Sequence, residues 1–277
     1  TLNIPCSTRL HTLFPEFVAS KYPFVSVDSG WQWMKLRYED CSHILTTTDT
    51  MVKILKEKRF KQEIIAWTRG VDRQYFKPDP DRKPNQKKKL LCVSRVSHEK
   101  GLDDFCSLMI PNSEKILVGD GPYLKTLKKK YPDVTFAGKQ RGHDLAKYYQ
   151  QADVFVFPSR WDTFGLVMIE AMACGTPVAA YPVQGPLDVI DTDTGVMDED
   201  LATAVRKALD LNRVSVEAVS QRWSWERAWE IFKENAWTPF LEKWDSLRDR
   251  PAPPPMCGIL IYVGEDGDQA REQGTQF

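Results

Sequence analysis

Two carboxylates eight positions apart, Asp162 and Glu170, flank the point where an apolar run (Val154 to Phe157) gives way to a helical segment. The run ends at Pro158, Gly165 opens the helix, and Gly175-Thr176-Pro177 closes it before a second apolar run begins at Val178. In a parallel βα unit this places both acids at the carboxyl edge of the sheet, where open α/β folds bind ligands. The first amides of the helix offer an anion site between them. Such an edge suits a nucleotide diphosphate that carries a sugar.

Each residue has a competing structural reading. Asp162 precedes a helix, where an Asp is a common N-cap. Glu170 would be an ordinary solvated helix residue, except that Val167, Met168, Ile169, Ala171 and Met172 around it are all apolar. A carboxylate in that company needs a partner, and a ligand hydroxyl is the reading adopted. Arg95 and Lys100 lie in Ser94-Arg95-Val96-Ser97-His98-Glu99-Lys100-Gly101, a loop between the first strand of a βα series and its helix. They are either two surface cations or the groups that neutralise a diphosphate leaving group. Gly119 and Gly121, in Val118-Gly119-Asp120-Gly121-Pro122, let backbone approach a base or sugar, or simply make a tight turn. His11 alone reads as structural.

The elements that must position these residues fall into two parts. Up to about residue 80, helices are expected over 12–21, 31–40 and 49–59, with strands over 42–46 and 62–67. A Pro- and Lys-rich stretch over 76–89 marks a linker or domain edge. From Leu90, strands over 90–93, 115–118, 134–136, 154–157 and 178–181 alternate with helices near 101–109, 121–130, 142–151 and 165–174. That alternation means βαβ units and a parallel sheet covered on both faces. Helices follow over 198–211 and 214–222. Ser224 N-caps another that continues to about residue 247 and carries Trp225, Trp229, Phe232, Trp237, Phe240 and Trp244, read as a packing face against another domain. The divisions expected are 1–80, 86–223, 224–248, and a Pro-rich spacer with an unrelated tail over 251–277.

Composition bounds the reading. The chain has 277 residues, is 42% hydrophobic and 27% charged, and has zero formal net charge, so no global nucleic-acid footprint is visible. Six cysteines form no C-x-x-C pair and read as reduced cytoplasmic thiols. Four histidines show no metal-ligand spacing. No apolar run approaches the roughly 20 residues of a membrane span, and no signal peptide is recognised. Because it opens on Thr1 in a strand-like stretch, the chain is expected to be a fragment that lacks its true start.

Taken together, these residues resemble the retaining glycosyltransferases of family 4, over about residues 5–245. The resemblance rests on the block over 158–178, on Arg95 with Lys100-Gly101, on Gly119-Asp120-Gly121-Pro122, and on Arg69-Gly70-Val71-Asp72 before Phe76-Lys77-Pro78. The family's Glu-x7-Glu stands here as Asp162-x7-Glu170, which shortens the first acid by one methylene. The resemblance implies an α/β chain of the GT-B class, with two Rossmann-like domains of which the N-terminal one is incomplete. It further implies that Asp162 binds hydroxyls of the transferred sugar and Glu170 the nucleotide ribose. Arg95 and Lys100 would hold the diphosphate with amides near Thr163, Phe164 and Gly165, and Gly119 and Gly121 would line the donor side. His11, in a His-Thr-x-Phe-Pro-Glu context, would line the acceptor side near the anomeric carbon. No metal or cofactor is implied beyond the UDP- or GDP-linked sugar as co-substrate, and no Asp-x-Asp stands at a strand end.

The segment over 179–190 is similar to bacterial glycolipid-synthesising members of the family. The expected reaction is therefore hexosyl transfer to a membrane lipid such as diacylglycerol or a glycolipid, in the cytoplasm or at the inner membrane face. Lys21, Tyr22, Phe24, Trp31, Trp33, Lys35 and Arg37 offer a basic, aromatic surface for peripheral membrane contact, or else are buried packing of the first domain. The rival expectations are mannosyl or hexosyl transfer in polysaccharide assembly, and a non-catalytic fragment that binds nucleotide sugar. Met256-Cys257-Gly258-Ile259-Leu260 resembles the start of a class II glutamine amidotransferase. Only twenty residues follow Cys257, so a joined or truncated gene is expected, without amidotransferase activity.

Overall fold

The computed structural model describes residues 7–237 apart from residue 23. The Pro-rich spacer, the amidotransferase-like tail and the expected helix beyond residue 237 lie outside the described residues. The order is β1 (Ser7–Leu10), α1 (Phe14–Lys21), α2 (Val27–Tyr38), β2 (His43–Thr46), α3 (Asp49–Glu57), β3 (Glu63–Ala66), β4 (Lys88–Val93), α4 (Leu102–Cys106), β5 (Ser113–Val118), α5 (Leu124–Lys130), β6 (Thr135–Gly138), α6 (Gly142–Gln151), β7 (Val154–Phe157), α7 (Leu166–Ala173), β8 (Val178–Ala180), α8 (Pro186–Val189), β9 (Gly195–Met197), α9 (Leu201–Ala208), α10 (Arg213–Ser220) and α11 (Trp225–Phe232).

Two all-parallel sheets result, one ordered β1-β2-β3 and the other β6-β5-β4-β7-β8-β9. In the larger sheet the chain winds outward from β4 to β6, then returns to start again at β7 on the other side. The loops after β4 and β7 therefore leave the sheet in opposite directions and open a crevice between them, the switch point of a doubly wound fold. Arg95 and Lys100 follow β4, and Asp162 follows β7.

The central strands are apolar throughout because both faces are covered. Leu90, Cys92, Val154, Val156 and Ala179 pack with α4, α5 and α9, whereas Leu91, Phe155, Phe157, Val178 and Ala180 pack with α6, α7 and α10. The smaller sheet repeats the pattern. Ile44 turns towards Trp31, Met34, Met51 and Leu55, while Leu45, Ile65 and Trp67 meet Ile231 and Phe232 of α11. The Trp67 indole also donates to the carbonyl of Ala228 at 2.8 Å.

The helices start largely where capping chemistry allows. Ser26, Thr48, Asp200, Asn212 and Ser224 accept from the first turns of α2, α3, α9, α10 and α11. Ser26 moves the start of α2 to Val27, four residues before the expected start at Trp31. Periodicity also missed α8 and β9, both too short to carry a repeat. Residues 76–89 lie against the larger unit. Phe76 is buried in its core, Arg82 donates to Gln150 and pairs with Asp153 at 2.9 Å, and Asn85 donates to the same carboxylate. Of the cysteines described, Cys92, Cys106 and Cys174 are buried and free, and Cys41 is partly exposed.

Close approach of α11 to the smaller sheet depends on Gly70, where a Cβ would lie 2.3 Å from the Trp225 nitrogen. Gly70→Ala is expected to destabilise the chain by about 1–3 kcal/mol through overpacking, read as a lower midpoint in urea unfolding with an unchanged slope.

Candidate active site

Lys100 reaches across the crevice from the β4 loop and donates to both oxygens of Asp162, at 2.8 and 2.9 Å. Each side chain keeps about a quarter of its surface exposed. The backbones behind them are equally close, since a Cβ on Gly101 (φ +62°) would meet the Pro158 carbonyl at 2.5 Å. Asp162 is therefore not the N-cap of α7. That position belongs to Gly165, at φ 82°, with no side-chain cap. A Cβ there would strike Phe157 and Met168. The first amides of α7 stay uncapped beside an ammonium group, so the edge is electropositive around one neutralised carboxylate.

Glu170 lies about one turn along α7, and its Oε2 accepts from the Tyr149 hydroxyl at 2.8 Å. Tyr149 is fully buried. Its carbonyl is held by the Thr176 hydroxyl at 2.6 Å, from the Gly-Thr-Pro turn that ends α7. Burial pushes the Glu170 carboxyl up to about 7, against the opposing effect of the Tyr149 hydrogen bond. Among the described residues no protein donor reaches Oε1. The sequence asked for a partner, and half of the answer is this tyrosine. Its only sequence signal is an aromatic at a helix end, which is indistinguishable from core.

Arg95 is exposed and has no ion-pair partner among the described residues. Gly119 (φ +146°) and Gly121 bring backbone close to backbone: Cβ atoms there would meet the carbonyls of Ser94 and Val96 at 1.8 and 2.3 Å. They seat the loop that carries Arg95. Phe164 is buried edge-on against Trp223. Gly185 (φ +60°), after β8, allows the next loop to lean on the Asp162 carbonyl. Asp191 of Asp191-Thr192-Asp193 accepts from the amides of its own turn and pairs with Arg222. Against the expectation, an Asp-x-Asp does stand at a strand end: Asp198-Glu199-Asp200 directly follows β9, with Asp198 paired to Lys207 and Asp200 capping α9.

The carboxyl ends of the two sheets meet here. The Thr163 hydroxyl donates to the His11 carbonyl, the Thr47 hydroxyl to the Thr163 carbonyl at 3.5 Å, and the Thr50 hydroxyl to Asp188 at 2.6 Å. His11 thus stands within one residue of Asp162. Its Nε2 lies 2.8 Å from an Arg69 nitrogen, and a guanidinium can only donate. The imidazole proton therefore sits on Nδ1, which is buried without a partner. Burial first, then Arg69 and Arg9, lower the His11 pKa to about 4, so it is a neutral donor near pH 7. Four more buried polar atoms lack partners on loops at this edge: Thr68 after β3, Ser97 after β4, Ser159 after β7 and Gln184 after β8. Sequence reasoning missed all four, because nothing in a Ser, Thr or Gln foretells that its hydrogen bond will be missing.

Residues 74–220, more than half of the chain, match the family described as glycosyl transferases group 1. The chain belongs to this family. It is 31% identical over 225 residues to a GDP-mannose-dependent α-mannosyltransferase of Corynebacterium glutamicum, covering 76% of this chain and 52% of that one. It is 26% identical over 265 residues to an α-monoglucosyldiacylglycerol synthase of Streptococcus pneumoniae, covering 84% and 59%. It thus spans about half the length of the curated relatives it matches. Among solved structures it superposes on a sucrose-phosphate synthase of Thermosynechococcus elongatus with a TM-score of 0.65, 25% identity and coverage of 87% and 66%. Anabaena HepE with UDP and glucose gives 0.64 at 19% identity, with coverage of 85% and 71%. The fold of this chain is the α/β GT-B arrangement with Rossmann-like sheets.

A raised carboxyl pKa means that the folded chain holds the Glu170 proton more tightly than the unfolded chain. Stability from this group is full below about pH 4.5 and is lost as pH rises to about 7. Glu170→Gln is therefore expected to be more stable than the parent by about 1–3 kcal/mol at pH 8, with the difference vanishing near pH 4.5, as measured by urea unfolding at the two pH values.

Proposed function

We propose that the chain performs retaining, metal-independent hexosyl transfer from a UDP- or GDP-linked sugar to a membrane lipid acceptor such as diacylglycerol or a glycolipid, placing it with glycosyltransferase family 4. The observation that carries the reading is the switch-point crevice. There the Lys100–Asp162 pair, the open N-terminus of α7 and the half-used Glu170 carboxylate line one edge. Arg95, Lys100 and the amides of 163–165 hold the diphosphate and stabilise the charge it gains on leaving. Glu170 takes the ribose hydroxyls on Oε1, and Asp162 takes hydroxyls of the sugar. Already paired with an ammonium, Asp162 holds and orients the sugar. His11, neutral and protonated on Nδ1, donates a hydrogen bond on the acceptor side.

A lipid acceptor is supported by the name of the streptococcal relative, and GDP-mannose as donor by that of the corynebacterial one. No helix among the described residues is long and apolar enough to cross a membrane. Contact would come from the first unit, at the cytoplasmic face, where Phe24 is 86% exposed and Tyr22 and Trp33 are half exposed. Arg37 lies over the Trp33 ring. Trp31, by contrast, is buried and donates to Glu16, which removes it from that surface.

Replacing Glu170 with Ala should weaken UDP or GDP binding at pH 8 by about tenfold or more, the worth of a charge-assisted hydrogen bond. Calorimetry that shows unchanged affinity would remove the ribose role. A donor screen with membrane lipids, reading the nucleotide released, tests the transfer itself; turnover on free sugars alone would remove the lipid acceptor.

A further inference from the structure

Opposite the donor loops, the ends of β1 and β3 gather positive charge with nothing to balance it. The Arg9 guanidinium lies 4.2 Å from the centroid of the Trp67 ring, and that of Arg69 lies 4.7 Å from the same centroid. Two cations thus share one indole, itself buried and fixed through Ala228. Neither forms an ion pair among the described residues. Arg69 touches His11, which is neutral and presents its own unpartnered Nδ1 proton. The Thr68 hydroxyl, between Trp67 and Arg69 in the chain, is also buried without a partner. Like charges held this close repel, and burial together with Arg9 already lowers the Arg69 pKa. Stacking on an aromatic face offsets part of that cost and leaves the guanidinium edges free for planar recognition of oxygens.

We propose that Arg9 and Arg69, the latter held against His11 Nε2, form a binding site for an oxyanion, a phosphate or a carboxylate, carried by the acceptor. The site joins the donor crevice through the Thr163–His11 contact, so an anionic group held here would set a neighbouring acceptor hydroxyl towards the transferred sugar. The proposal rests on the sugar-transfer reading only in assigning the anion to the acceptor.

The test is a titration of the full chain at pH 7, labelled with 15N-histidine. The chain has four histidines, and His11 is assigned through His11→Asn. Inorganic phosphate is expected to shift the His11 nitrogens saturably, with affinity at least tenfold weaker in Arg9→Gln and unchanged in Arg95→Gln. A flat His11 response in the parent chain, which requires no variant to fold, would overturn the site. So would a response that ignores Arg9 or disappears with Arg95. Phosphatidylglycerol in phosphatidylcholine vesicles, used in place of phosphate, separates the two sources. An Arg9-dependent response to both supports an anion borne by a lipid headgroup, and a response to phosphate alone supports one on a soluble acceptor. Calorimetry with UDP and GDP on the same samples keeps the two readings apart. A tenfold loss of nucleotide affinity in Arg9→Gln would reassign the cluster to the donor and sink the proposal. Absence of nucleotide binding with an intact phosphate response would sink the donor reading alone.

Discussion

The site depends on the divergence of two loops at the middle of one parallel sheet. Strands β4 and β7 are neighbours, but their connections run to opposite sides, so no side chain of the sheet fills the gap above them. Something must hold the two loops together across it. The Lys100–Asp162 pair does so with charge, and the approach of Gly101 to Pro158 does so with backbone. A partly exposed pair contributes little to stability. Its effect is to set where an ammonium group and a carboxylate stand relative to the first turn of α7.

The charges around this edge have opposite fates. Lys100 and Asp162 neutralise one another, Glu170 is made reluctant to ionise by burial, and His11 is kept neutral by burial and two arginines. Near neutral pH the crevice therefore holds few free negative charges. It keeps an uncapped helix start, exposed Arg95 and several buried polar atoms without partners, the Asp188 Oδ2 acceptor among them. An anionic ligand compensates such a surface, and a diphosphate brings the density of charge and oxygen it lacks.

Glycines carry much of the geometry, and mostly through contacts within the protein. Gly119 and Gly121 were read as places for a base or sugar to come near, or as a tight turn. They also seat the β5 loop under the Ser94 and Val96 carbonyls. Gly185 does the same for the loop after β8, beneath Asp162. The sequence marked the right loops because a glycine signals close approach, yet it carries no information about what approaches.

Strand and helix order, the all-parallel sheets and the edge on which Asp162, Glu170, Arg95 and Lys100 fall were legible from local pattern. Apolar runs of four to six residues, punctuated by Gly and Pro, can be satisfied in few other ways. The pairings were not legible. That Lys100 binds Asp162, that Tyr149 takes half of Glu170, and that Thr163 ties itself to His11 over 152 residues of chain depend on distances that only sheet order and loop direction set. The same holds for Arg9 and Arg69, sixty residues apart in sequence and brought onto one tryptophan because β1 and β3 end at the same edge of their sheet. Local residue types determined which chemistry was available. Long-range packing decided which groups were spent on each other and which were left for a ligand.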